Sequence, residues 1–334
     1  MKKAQITRYS EKGKLVFNDV VSEEIRDNEV LIKVKAAALN PVDNMIKRGD
    51  LRVLFKYSFP LTLGNEISGI VEKVGKNVRD FKVGDKVFSR LPIAELGGFS
   101  EKVIVDKKEI AIFPEYLSFE EAATIPLASL TALQAFEKLK IKKNKTIFIS
   151  GATGSFGNVA VLLAKIKGLK IVVTGNIKNK GKMIELGVDK FIDYKKENFV
   201  NILSGEKVDY VIDTVGGEDL KKEFSILKNG GSLVSLKGVP NEEFAIDHKL
   251  SAVKRILCKL IGKKMEKLVS ENNQKYYFLF VKSNGEQLKE IAGMLKKIEL
   301  KPEIDSVFSF EEINDAFENL KNGGTKGKIV IKMD

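Results

Sequence analysis

The sequence predicts an α/β protein of two units, a doubly wound parallel sheet set into a smaller β-rich unit. Three observations carry this prediction. Short strands punctuated by glycines fill residues 1–120, strands alternate with helical stretches over 121–284, and 285–334 hold too few elements for a domain of their own. At 334 residues the chain is also too long for one ordinary domain.

The elements can be justified in order. Val30 to Val34 alternates as a strand does; Ile67 to Val74 and Lys86 to Phe88 follow, with Gly64, Gly69, Gly75, Gly84, Gly97 and Gly98 between and after them. Helical periodicity is weak there, so a compact barrel-like unit is expected. Phe119 to Leu139 reads as one helix. Strands are then expected at 146–150, 170–174, 190–193, 209–213, 232–236 and 276–281, with helices between them. Parallel strands need crossover connections, so this alternation implies a parallel sheet. A helix from Gly285, a strand at 304–308, a helix at 310–320 and a strand at 327–332 should return to the first unit. The expected domains are therefore 1–120 with 285–334, and 121–284.

Composition narrows the function. Hydrophobic residues are 43% and charged residues 31%, as in a soluble globular protein, and no apolar run approaches the ~20 residues that span a bilayer. The start of the chain has no apolar core of a secretory signal, so a cytoplasmic setting is expected. One cysteine, Cys258, and one histidine, His248, cannot furnish a typical zinc site, so no metal is expected. The net charge of +12 comes from lysines spread along the whole chain. No nucleic-acid-binding motif accompanies them, and a solvated basic surface is expected rather than a nucleic-acid partner.

Residues 250–269 combine two patterns. Leu250, Val253, Leu257, Leu260, Ile261, Met265 and Leu268 recur at helical spacing, with Lys249, Lys254, Arg255, Lys259, Lys263, Lys264 and Lys267 between them. A basic amphipathic helix can lie on a membrane. The expectation is instead a helix packed on the sheet with a wet, charged back, and no stable membrane insertion.

The clearest motif is Gly151-Ala152-Thr153-Gly154-Ser155-Phe156-Gly157, between the strand at 146–150 and a helix expected over 158–167. The early glycine permits the tight turn, Gly154 lets a pyrophosphate approach the backbone, and Gly157 lets helix and strand pack closely. The helix N-terminus offers free N–H groups to the phosphate. An NAD site usually places an acid at the end of the second strand, to hold the ribose hydroxyls. Here the strand ends in Thr174-Gly175-Asn176, no Asp or Glu occurs between Gly151 and Ile184, and Lys178, Lys180 and Lys182 follow. Lysines attract a 2′-phosphate and an acid repels it, so NADPH is the expected cofactor.

These motifs resemble the medium-chain dehydrogenase/reductase superfamily, in its zinc-free quinone oxidoreductase (zeta-crystallin-like) branch. The resemblance runs nearly end to end. It covers Ala38-Leu39-Asn40-Pro41-Val42-Asp43, Leu63 to Val71, Val74-Gly75 to Val87, Gly97 to Glu101, Leu130-Thr131-Ala132, the glycine turn, Leu186 to Asp189, and Gly327 to Val330. Zinc alcohol dehydrogenases of the superfamily carry a Cys near Asn40 and a His where Asn65 stands. The resemblance implies a GroES-like β-rich domain, a Rossmann domain, an NADPH cleft between them, and a homodimer. It implies cofactor contacts at Asn40, Thr131, Gly154, Ser155, Phe156, Gly175, Asn176, Lys180, Tyr194 and Lys328, with Gly238, Phe278 and Phe280 near the nicotinamide. Either Lys178 or Lys180 would meet the 2′-phosphate.

The implied reaction is hydride transfer to a small electron acceptor, a quinone or an α,β-unsaturated carbonyl, with polarisation by hydrogen bonds rather than by zinc. Asn40 and Tyr57 are candidate pocket residues, though Tyr57 could instead cap the barrel. No catalytic acid stands out. Two alternatives stay open: a zinc-free alcohol or aldehyde dehydrogenase-like enzyme, and a non-catalytic NADPH-binding protein, with an RNA-binding or scaffold role, on the same fold.

Overall fold

The structure, a computed structural model, describes residues 1–21, 24–270 and 272–333; the side chains of Lys264, Glu266 and Ser270 also lie outside the described set. The chain divides into two compact units, Met1–Leu130 with Lys282–Asp334, and Thr131–Val281.

The first unit opens with β1 (Lys2–Ile6), β2 (Val16–Asp19), β3 (Glu29–Leu39), α1 (Pro41–Arg48), β4 (Leu61–Thr62), β5 (Glu66–Val74), β6 (Lys86–Arg90), β7 (Lys102–Asp106) and β8 (Ile110–Ile112). The long β3 is its axis, because Ala36, Ala37, Ala38 and Leu39 are all buried and small enough for neighbours to close on both faces. Helix α1 is an addition to the expected all-strand pattern. Its signals are local: Asn40 at the N-cap, Pro41 in the first turn, and Gly49 at φ 86° closing it in the left-handed region.

Next come α2 (Phe119–Ala123) and α3 (Pro126–Leu139). The single helix expected over 119–139 is therefore two. Pro126 has no N–H and disfavours helical backbone in the residue before it, so the first helix ends and Pro126 opens the second.

The second unit holds β9 (Thr146–Ile149), α4 (Ser155–Ile166), β10 (Lys170–Gly175), α5 (Lys180–Glu185), β11 (Lys190–Asp193), α6 (Phe199–Leu203), β12 (Val208–Asp213), α7 (Gly217–Ser225), β13 (Leu227–Ser235), α8 (Glu242–Asp247), α9 (Ala252–Ser270) and β14 (Lys275–Phe278). Among the described residues the strands form one parallel sheet in the order β11-β10-β9-β12-β13-β14. This is the doubly wound order of a Rossmann sheet, which reverses direction beside its first strand. Ile147, Phe148 and Ile149 are fully buried there, as a central strand covered on both faces requires.

Helix α9 corrects an expectation. Its buried side is Cys258, Gly262, Met265 and Val269, of which Met265 and Val269 pack into the sheet's apolar core, whereas Val253, Leu257, Leu260, Ile261 and Leu268 are exposed. Gly262 lets the helix come close to the start of α8: a Cβ on it would stand 2.9 Å from that of Asn241, the α8 N-cap. The larger apolar residues are left on the outer side.

The chain then returns to the first unit with α10 (Gly285–Ile298), β15 (Ile304–Ser309), α11 (Ile313–Asn322) and β16 (Lys328–Lys332). The larger sheet of that unit runs β15-β16-β3-β5-β6-β8, with β7 also paired to β3, and β2-β1-β4 form a smaller one. The fold is thus a GroES-like β-rich unit interrupted by a Rossmann unit.

Candidate functional site

In the Rossmann unit the candidate site is the turn after β9. Gly151 has φ 61°, and its N–H donates to Thr174 Oγ1 at 3.0 Å. Thr214 Oγ1 donates to the Ser150 carbonyl at 2.7 Å, and Ala152 N–H donates to the Thr174 carbonyl at 2.9 Å. The turn is thereby tied to the ends of two neighbouring strands before any ligand arrives.

The last two glycines of the motif stand in different surroundings. A Cβ on Gly157 would lie 2.0 Å from the Ala152 carbonyl oxygen, so helix and turn touch there. A Cβ on Gly154 would meet nothing within 4 Å. Gly154 is the exposed N-cap of the twelve-residue α4, which has no side-chain cap and no acid in its first turn. Backbone N–H groups there are open to an anion. Ser155 and Phe156, in that first turn, are half-buried.

Beside the turn, Gly175 closes β10, and a Cβ on it would stand 2.2 Å from Thr153 Cγ2. Asn176 follows, its side-chain oxygen accepting from Lys178 N–H at 3.1 Å. Lys178 and Lys180 are exposed, and Tyr194, also exposed, donates its N–H to the Gly175 carbonyl at 3.4 Å. Gly238 sits where the Tyr276 phenol would contact any Cβ, at 2.3 Å; that phenol donates to the Val239 carbonyl at 2.8 Å and accepts from its N–H at 2.9 Å. Phe278 packs edge-on to Phe244 at 5.1 Å, and Phe280 lies 6.0 Å from His248. Thr131 is half-buried in α3.

Residues that the motif reading missed lie under this turn. Asp213 is buried and accepts from Val215 N–H at 2.9 Å, Gly216 N–H at 2.7 Å and Ser235 Oγ at 2.5 Å. Glu223 is buried nearby, and desolvation, with the Asp213 charge adding to it, pushes its carboxyl well above the usual range. A polar residue on the buried face of the nine-residue α7 is the sequence signal for Glu223.

In the GroES-like unit the site is a buried polar cluster assembled by sheet register. Ile329 pairs with Leu39 across β16 and β3, and Ile67 pairs with Ala37 across β5 and β3. Lys328, Asn40 and Glu66, each one residue beyond those pairs, are thereby brought together. The Lys328 ammonium donates to Asn40 Oδ1 and, at 2.8 Å, to Glu66 Oε2. Asn40 Nδ2 donates to the same carboxylate oxygen at 2.9 Å and to the Ala38 carbonyl at 3.1 Å. Glu66 Oε1 accepts from Leu127 N–H at 2.7 Å, in the first turn of α3. Both Asn40 and Glu66 are essentially unexposed.

Asp43 extends the cluster. Its carboxyl accepts from Asn40 N–H at 2.8 Å and from Asn65 Nδ2 at 3.0 Å. Burial pushes it up to about 7 from an ordinary 3.8. Arg90 is buried at the end of β6 and donates to Ser283 Oγ at 3.3 Å; burial lowers its guanidinium to about 10. Tyr57 is half-buried and its hydroxyl donates to the Ile93 carbonyl at 3.0 Å, which holds a loop of the barrel. Sequence reasoning picked out Asn40 and Lys328 but missed Asp43, Glu66 and Arg90. Asp43 had a signal, the Asn-Pro-x-Asp start of α1.

The Asp43 shift has a pH consequence. Between the unfolded and folded values the native state holds an extra proton. The stability this contributes is complete below about pH 4 and is lost as the pH rises through 7. The loss is about 4 kcal/mol. Urea unfolding at several pH values in that window should show this slope, and Asp43→Asn should flatten it. An unchanged slope in the variant would assign the proton elsewhere.

A GroES-like barrel carrying a Rossmann unit with a glycine phosphate turn is the architecture of a medium-chain dehydrogenase/reductase. The alcohol dehydrogenase GroES-like domain family matches residues 26–115, and the zinc-binding dehydrogenase family matches residues 186–331. The 2-methylene-furan-3-one reductase of Solanum lycopersicum is 33% identical over 327 residues, covering 94% of this chain and 74% of that protein. The chloroplastic NADPH-dependent alkenal/one oxidoreductase of Arabidopsis thaliana is 30% identical over 327 residues, with the same 94% and 74% coverage. The solved quinone oxidoreductase of Coxiella burnetii has a TM-score of 0.83 at 30% identity, covering 100% of this chain and 99% of that one. The chain belongs to the medium-chain dehydrogenase/reductase superfamily.

Proposed function

We propose that the chain is a zinc-independent, NADPH-dependent oxidoreductase acting on a quinone or an α,β-unsaturated carbonyl. The observation that carries this reading is the open α4 N-terminus at Gly154, followed across β10 by lysines instead of an acid. These residues fit a dinucleotide. Gly151, Gly154, Ser155, Phe156 and Gly157 would hold its pyrophosphate. Gly175, Asn176, Lys178, Lys180 and Tyr194 would hold the adenosine end with its 2′-phosphate. In the Rossmann unit Thr131, Gly238, Phe278 and Phe280 would line the nicotinamide end, and in the GroES-like unit Asn40 and Lys328 are the cofactor contacts that the family resemblance implies. A bound nicotinamide supplies the hydride.

The chain's own residues orient and neutralise. Asn40 is itself fixed by Lys328 and Glu66, so its amide has one orientation. Tyr57 already spends its hydroxyl proton on Ile93, which supports its role as a barrel cap over that of a proton donor.

One matching family is named for zinc, and the side chains here do not fit that ion. Asn40 and Asn65 are amides, Glu66 is bound to the Lys328 ammonium, and burial favours the protonated form of Asp43. No thiolate or imidazole stands among them.

The names of the relatives support the acceptor class. A homodimer is part of this reading through the family resemblance. A cytoplasmic setting is part of this reading and is consistent with the free Cys258.

The test is a steady-state assay with 1,4-benzoquinone and with 2-alkenals. NADPH should support turnover, and NADH should need at least a tenfold higher concentration. Lys178→Ala combined with Lys180→Ala should raise KM for NADPH by about tenfold or more and leave that for NADH unchanged. Equal use of both cofactors would remove the NADPH assignment. Tight NADPH binding without turnover on any acceptor would remove the enzyme reading in favour of a binding protein.

A further inference from the structure

Helix α9 exposes more large apolar residues than a solvated surface helix needs. Val253 is 77% exposed, Ile256 59% and Leu260 57%, and Leu257, Ile261 and Leu268 are exposed beside them. On a helical projection the six fall within an arc of about 140°. Cys258, Gly262, Met265 and Val269 lie on another side and are buried, Met265 and Val269 in the sheet's apolar core. The outer arc is therefore not needed to keep the helix folded.

The charges beside this arc follow a pattern as well. Arg255, Lys259, Lys263 and Lys267 are all exposed and recur every fourth residue, a row that winds by about 120° along the helix and reaches one edge of the arc at Lys263 and Lys267. Glu242 pairs with Arg255 at 2.8 Å and with Lys259 at 3.0 Å, one carboxylate against two cations. The row keeps a net positive charge on a chain that is itself +12.

We propose that this face of α9 docks the protein on an anionic lipid surface. The helix would lie in the interface plane, with the apolar arc among the acyl chains and the basic row at the headgroups. Lysine and arginine stems are long enough to span that boundary. Charge complementarity selects this occupant. Anionic headgroups would neutralise the basic row while the acyl chains cover the apolar arc. Spanning is not part of the proposal, since no helix among the described residues is long and apolar enough to cross a membrane.

Co-sedimentation of the full-length protein with two vesicle types tests it: phosphatidylcholine alone, and phosphatidylcholine mixed with phosphatidylglycerol. Binding should favour the mixed vesicles by at least tenfold and weaken with salt. Ile256→Glu and Leu260→Glu should each cut it by tenfold or more, and Lys259→Glu with Lys263→Glu should do the same. All four positions are exposed and outside the dinucleotide site, so NADPH oxidation should be unchanged and should report intact folding. Equal binding to both vesicle types, no binding, or binding that the variants leave intact would overturn the proposal. So would a wild-type dimer that Leu260→Glu splits while no vesicle is bound, which would assign the face to a second copy.

Discussion

Lys328→Met should destabilise the GroES-like unit by about 3–5 kcal/mol, the cost of stranding a buried charge. Glu66 has no exposure and faces the Lys328 ammonium and the Asn40 amide. Among the described residues, removing the lysine leaves that carboxylate with the Asn40 amide and the Leu127 N–H. Adding Glu66→Gln should restore most of the loss, because a neutral amide no longer needs the cation. Hydrogen exchange of the β3, β5 and β16 amides is the suitable readout, since it reports on this unit separately from the Rossmann unit. A loss below about 1 kcal/mol in the single variant would mean that Glu66 is neutralised some other way.

The second large effect separates two glycines three residues apart. Gly157→Ala would place a Cβ 2.0 Å from the Ala152 carbonyl oxygen, and backbone cannot yield by that much without lifting α4 from the turn. A loss of about 3 kcal/mol or more is expected, seen as a lowered midpoint in thermal unfolding. Gly154→Ala should behave oppositely. Its φ of −93° suits alanine and its Cβ meets no protein atom, so the unfolding midpoint should hold. The methyl instead occupies the approach of the phosphate. NADPH affinity, by calorimetry, should fall between roughly tenfold and a hundredfold. Unchanged affinity would mean that the pyrophosphate does not lie over Gly154.

Much of the Rossmann unit was legible because each signal is local. Parallel strands covered on both faces read as short apolar runs, and the glycine turn between β9 and α4 announces itself within seven residues. The break at Pro126 was equally local, and a long apolar window hid it. Helix α9 shows a different limit. Periodicity located the helix but not its buried side, since a small side chain at 258 and a glycine at 262, set against the start of α8, are buried where leucines were expected. The buried cluster was half legible for the same kind of reason. Asn40 and Lys328 belong to recognisable motifs, whereas the partnership of Glu66 with Lys328 spans 262 residues and exists only through strand register.

The placement of β16 sets the order in which the protein can be completed on the ribosome. The Rossmann unit is one continuous stretch of chain, so it can close as soon as Val281 has emerged. The GroES-like unit, although begun first, must wait for the last strand to be translated. Until then Ala36 to Leu39 of β3 present an unpaired edge, and the Glu66 carboxylate has no counter-ion from Lys328. Unpaired edges and uncompensated charges are what chaperones shield in nascent chains. A stalled or prematurely terminated chain that ends before Lys328 would carry a finished Rossmann unit beside an open barrel, and quality control would meet it in that form.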